Sequence, residues 1–134
     1  MNTRKVNAKQ CKMVAHRGCS GLAPENTLAA FIAAGNRSYW GVETDVHRTA
    51  DGEYVVIHDS ETGRVAGDNI VIENTSFEYI RSLRLKDIDG TRTRADLRIP
   101  TLREYIAICK KYEKNCVLEF KTVYTLEQVA EMVE

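Results

Sequence analysis

Apolar residues in this chain gather into short runs and spaced faces, divided by polar turns, and strand-like and helix-like periodicities alternate along it. Met13-Val14-Ala15 is an apolar triplet that ends at His16, and Arg17 to Ala23, with two glycines, reads as a loop. Pro24-Glu25-Asn26 opens a helix with Asn26 as its N-cap, Leu28, Phe31 and Ile32 on one face, and Gly35-Asn36 at its end. Trp40 to Val46 is a second strand. Thr49-Ala50-Asp51-Gly52 is a turn signal ahead of a third, Tyr54 to His58. Twelve residues separate Asp45 from His58. A helical crossover needs about a dozen or more, so the spacing favours a hairpin and predicts no helix over 46–57.

Residues 59–100 are more polar and read as an insertion after the third strand, with a short helix at 76–83 announced by a capping box, Thr75-x-x-Glu78. Pro100 precedes a second box, Thr101-x-x-Glu104, and Leu102, Tyr105, Ile106, Cys109 and Tyr112 follow at helical spacing. Asn115 to Phe120 is a further strand. A third box, Thr125-x-x-Gln128, opens a helix with Leu126, Val129 and Val133 on one face. The order β, α, β-hairpin, insertion, α, β, α is an α/β architecture cut short.

Composition narrows the picture. With 134 residues and 43% hydrophobic content the chain can bury one modest core. Nineteen basic residues against nineteen acidic ones leave no net field to recruit nucleic acid or an anionic membrane, so an anionic ligand requires a local site. No stretch approaches the roughly 18 apolar residues of a membrane span, and no signal-peptide-length run follows the basic start, so a cytoplasmic protein is expected. Cys11, Cys19, Cys109 and Cys116 form no C-x-x-C pair; they are expected reduced and are poorly spaced for zinc.

The candidate chemistry lies at strand ends. Glu43 and Asp45 are two apart on a predicted strand and so share a face; two such carboxylates repel unless a cation or proton lies between them. Val42 and Val46 flank them in an apolar stretch, which argues against a merely solvated edge pair. Oxygen ligands favour Mg²⁺ or Ca²⁺ over zinc, with Glu119 as the third ligand. His16-Arg17 joins a proton-transfer group to a planar cation suited to phosphate oxygens, and His58-Asp59 closes the third strand. Taken singly, each histidine has a simpler structural account; two beside an acidic cluster suit phosphodiester hydrolysis, which needs one group to accept a proton and one to donate it. Lys121 shares a strand face with Glu119, either as a surface pair or as a cation for a phosphoryl group. His47, entering the turn, is expected to face solvent.

In order, VAHRG, APENT, VETDVHRTADG, VVIHD, IPTL and LEFK resemble the glycerophosphodiester phosphodiesterase family over about residues 13–121. Phe120, between Glu119 and Lys121, departs from the aliphatic residue usual there. The resemblance implies the TIM-barrel fold shared with phosphatidylinositol-specific phospholipases C. It implies His16 and His58 as the acid/base pair, Arg17 and Lys121 on the phosphate, and Glu43, Asp45 and Glu119 on Mg²⁺ or Ca²⁺. The implied substrate is a small glycerophosphodiester, cleaved to glycerol 3-phosphate and an alcohol. Such a barrel typically needs about 250 residues. The expected fold is therefore the N-terminal half of a (β/α)₈ barrel: an extension over 1–12 and a partial domain over 13–134. Expected partners are the substrate and either the remainder of the barrel or a second copy. The competing reading is a non-catalytic phosphate-binding or interaction module.

Overall fold

Four strands and five helices, numbered in chain order, build the described residues, 10–134, of the computed structural model. Residues 1–9 of the expected extension lie outside that range. The sheet is organised about β2, Gly41–Arg48, whose valines and threonine suit a strand covered on both faces and whose first seven residues are all buried. One edge of β2 pairs in parallel with β4, Asn115–Phe120, from Gly41 opposite Asn115 to Val46 opposite Phe120. The other edge is shared end to end: β1, Val14–Ala15, lies parallel to Gly41 and Val42, and β3, Tyr54–Val56, antiparallel to Val46–Arg48.

The predicted hairpin is present, and no helix lies between 46 and 57. Its turn is held by the Thr49 hydroxyl, which donates to Asp51 Oδ1 at 2.6 Å, and by Gly52 at φ +89°. The strand bounds shift slightly, to Gly41–Arg48 rather than 40–46 and to Tyr54–Val56 rather than 54–58.

α1, Leu28–Gly35, and α4, Leu102–Lys111, pack together over the sheet, with Phe31 and Tyr105 edge to face at 5.0 Å between ring centres. The Tyr105 hydroxyl donates to the Val42 carbonyl at 2.5 Å and accepts from the Val117 N–H at 3.1 Å, tying α4 to two neighbouring strands. Its apolar setting pushes the Tyr105 phenol well above its ordinary range. Both later capping boxes form: Thr101 with Glu104 at α4, and Thr125 with Gln128 at α5, Leu126–Val133.

Two helix starts differ from expectation. At α1 the N-cap is Thr27, whose side chain accepts from the Ala30 N–H at 3.2 Å; Asn26 adopts φ +52° and turns its amide toward the sheet instead. The 76–83 helix is the shorter α3, Phe77–Ser82, capped by Ser76, while the Thr75 hydroxyl donates back to the Val71 carbonyl. In each case the cap is the extended residue immediately before the first helical one.

Residues 59–100 hold the one-turn α2, Gly63–Ala66, a 3₁₀ turn at Ile72–Asn74, and α3. They have a core of their own, in which Ala66, Ile72, Ile80, Leu85, Leu97 and Ile99 pack beneath Val55 and Ile57 of the hairpin arm. Beyond α4 the chain is more open: β4 is exposed at both ends, and Val123 and Leu126 lie almost fully in solvent. Among the described residues no helix is long and apolar enough to cross a membrane.

Candidate active site

Alternation along β2 sends Glu43 and Asp45 to one face, and parallel register places Glu119 of β4 opposite Asp45. One carboxylate oxygen from each of the three lies within 4.8 Å of the others. Two are deep in the sheet, Asp45 fully buried and Glu43 8% exposed, whereas Glu119 is exposed. The bent-back hairpin brings the third strand into the same neighbourhood. Because β3 runs antiparallel to β2, the Ile57 N–H reaches the Asp45 carbonyl at 3.0 Å, so His58 lies beside the acidic pair.

The buried charges are answered locally. Glu43 Oε2 accepts from the Arg17 backbone N–H at 2.8 Å and has His16 Nε2 at 3.9 Å. Burial raises the Glu43 carboxyl above its ordinary value, an effect that the neighbouring Asp45 and Glu119 charges reinforce. Burial pushes Asp45 the same way, but the Asn26 amide, donating to Oδ2 at 2.9 Å, and Lys121 outweigh it and leave Asp45 below its ordinary value. Lys121 Nζ stands 3.1 Å from Asp45 Oδ1 and 2.6 Å from Glu119 Oε1, and Arg17 Nε stands 3.6 Å from Asp45 Oδ2.

These partners leave two oxygens over. Glu43 Oε1 has no hydrogen-bond partner, and Asp45 Oδ1 has only its ionic contact with Lys121. Orphaned buried carboxylate oxygens beside a third carboxylate fit a hard divalent cation.

The His16-Arg17-Gly18 loop is held in an uncommon backbone shape. Arg17 and Gly18 both have positive φ, +56° and +75°, and a Cβ on Gly18 would come within 2.7 Å of the Ala30 carbonyl carbon of α1. His58 Nδ1 meets Asp59 Oδ1 at 2.7 Å. Arg64, and then His58 itself, hold Asp59 well below the usual carboxylate range. An ionised carboxylate only accepts, so the proton of this bond sits on His58 Nδ1 and Nε2 is the nitrogen not committed to Asp59.

Sequence reasoning missed three side chains here. Asn26 is not a cap: it joins its amide to Asp45 and accepts from the Thr44 hydroxyl at 2.8 Å. His47 is buried rather than solvent-facing, with Nε2 3.1 Å from the His58 carbonyl oxygen, because the 3₁₀ turn at 72–74 packs against β2. Glu25, next to Asn26 in the PEN run, accepts from Arg17 at 3.2 Å. Its position between a proline and a helix start was the available signal.

Fold and site together define a (β/α)-barrel portion with acidic, basic and imidazole groups gathered where its parallel strands end. The Glycerophosphoryl diester phosphodiesterase family profile matches residues 16–134, and the chain belongs to that family. It is 40% identical over 111 residues to glycerophosphodiester phosphodiesterase 1 of Bos taurus, a match covering 81% of this chain and 33% of that protein. A phosphodiesterase from Oleispira antarctica, solved with the product sn-glycerol-3-phosphate, superposes with a TM-score of 0.81 at 31% identity, covering 92% of this chain and 51% of that one. A glycerophosphodiester phosphodiesterase from Agrobacterium tumefaciens gives 0.78 at 29% identity, with 91% and 51% covered. The chain thus spans about a third of that curated relative and half of those solved ones, and its fold is that of the N-terminal part of their barrel.

Proposed function

We propose that this chain carries the reacting groups of a metal-dependent phosphodiesterase that cleaves small glycerophosphodiesters to glycerol 3-phosphate and an alcohol. The observation that carries this reading is the convergence of Glu43, Asp45 and Glu119 within 4.8 Å, with Lys121 and Arg17 against Asp45, His16 3.9 Å from Glu43, and the strand that ends at His58 bonded to Asp45 through Ile57. Glu43, Asp45 and Glu119 would hold Mg²⁺ or Ca²⁺. Such an ion, when bound, takes up phosphate negative charge as a Lewis acid.

The remaining work falls to the chain itself. Arg17 offers a planar fork to phosphate oxygens and Lys121 a mobile point charge. His58, with Nδ1 committed to Asp59, exchanges its proton through Nε2. His16, exposed at the loop, supplies the other proton transfer, and positioned transfers of this kind contribute roughly 10²–10⁴-fold. The partial domain runs over 13–134, and the surface of 59–100 helps to choose the alcohol.

Incubating the purified chain with glycerophosphocholine and Mg²⁺ or Ca²⁺, with and without EDTA, tests this. Turnover abolished by chelation, and lowered at least about 100-fold in folded His16→Ala and His58→Ala, is the expected result. Wild-type-like rates in either variant would sink the assignment. A second reading, a non-catalytic phosphate-binding portion, draws on the exposure of β4 and on the half-length span. Phosphate binding without turnover would favour it.

A further inference from the structure

The Arg64 guanidinium in α2 touches two carboxylates from distant parts of the chain. Its Nε and one terminal nitrogen donate to Asp59 at 2.8 and 3.2 Å, and its two terminal nitrogens donate to Glu25 at 3.1 and 2.6 Å. Each carboxylate in turn holds one of the groups given a reacting role above: Asp59 accepts from His58 Nδ1 at 2.7 Å, and Glu25 accepts from Arg17 at 3.2 Å. The result is a continuous chain, Arg17, Glu25, Arg64, Asp59, His58, that joins the first loop to the end of the hairpin.

We propose that Arg64 is a positioning residue that sets His58 and Arg17 together through this forked contact. The proposal rests on the phosphodiesterase reading for its effect on rate, and on geometry alone for its effect on the two side chains. The anchor point is firm: Thr62, fully buried just before α2, donates to the Asp68 carbonyl at 2.6 Å and accepts from the Ile70 N–H at 3.1 Å. Glu25 and Asp59 both lie below their ordinary carboxylate range with Arg64 as the foremost cause, as expected where one cation satisfies both. Arg64 itself is half exposed, and exposed ion pairs add little to stability. The forked shape therefore matters for orientation more than for holding the fold, and lysine, a single point charge, cannot reproduce it.

The test compares Arg64→Gln and Arg64→Lys in the full chain, with folding checked by circular dichroism. The decisive readout is the ring ¹⁵N spectrum of His58. Wild-type protein should show protonated Nδ1 and bare Nε2, and both variants should show tautomer averaging. In an active chain, kcat on glycerophosphocholine should fall about tenfold or more while KM stays within about twofold. A His58 spectrum unchanged in either folded variant overturns the proposal, as does an unchanged kcat. If the wild-type chain shows no turnover, the phosphodiesterase reading fails by itself, and the ring spectrum still decides the role of Arg64.

Discussion

Asp45 has no exposed surface, and a buried carboxylate persists as an anion only where its charge is answered. The Asn26 amide, Lys121 and Arg17 do this from three directions. Asn26 is the one neutral member, and it binds Asp45 and Thr44 at once from a left-handed backbone that asparagine tolerates better than most residues. Asn26→Ala should strand both groups and cost roughly 1–3 kcal/mol of stability, read as a lower urea midpoint at unchanged slope. An unaltered midpoint would mean that Asp45 needs no amide. The acidic and histidine positions were legible in the sequence because period-two alternation and strand ends are local properties. The roles of Asn26 and His47 were not. An asparagine ahead of a helix suits a cap and a left-handed turn equally, and the burial of His47 comes from a segment some 25 residues downstream.

At the scale of elements, α4 is both the best-announced helix and the best-fastened one. Thr101 accepts from the Glu104 N–H at 3.1 Å, Glu104 reaches back to the Thr101 N–H at 2.9 Å, and the same carboxylate pairs with Arg81 of α3 at 2.7 Å. Thr101→Ala should cost about 1 kcal/mol, visible as a lower melting temperature. A loss well above that would show that the box also anchors the 59–100 segment through Arg81. Capping boxes at 101 and 125 were readable because the signal spans four residues and little else competes. At 75 a serine follows at once, and the adjacent hydroxyl took the cap. The hairpin was readable from chain length alone. The sharing of one β2 edge by β1 and β3 was not, because it depends on the register of β2 with β1, more than 25 residues earlier in the chain.

Across the whole molecule, the family motifs were plain in the sequence, whereas the separate core under 59–100 was hidden in a stretch that reads as polar. Its leucines and isoleucines are spread over turns with no period to betray them. The molecule divides into a well-packed β1–α4 region and a more open β4–α5 arm, so the side chains of the proposed site sit on unequal supports: Glu119 and Lys121 on the open arm, the others on the packed one. On the packed side Gly18 leaves no room for a side chain, since a Cβ there would meet the Ala30 backbone at 2.7 Å. The Cys19 N–H donates to the Ala30 carbonyl at 3.0 Å, fastening the loop to the helix. Under the proposed function, Gly18→Ala should keep every group of the site yet displace His16 and Arg17 together, lowering turnover about 100-fold with metal binding retained in calorimetry. Retained turnover would mean that the loop accommodates a side chain without moving. A methyl group would thus separate possession of the right chemistry from its alignment, which no substitution of a reacting residue can do.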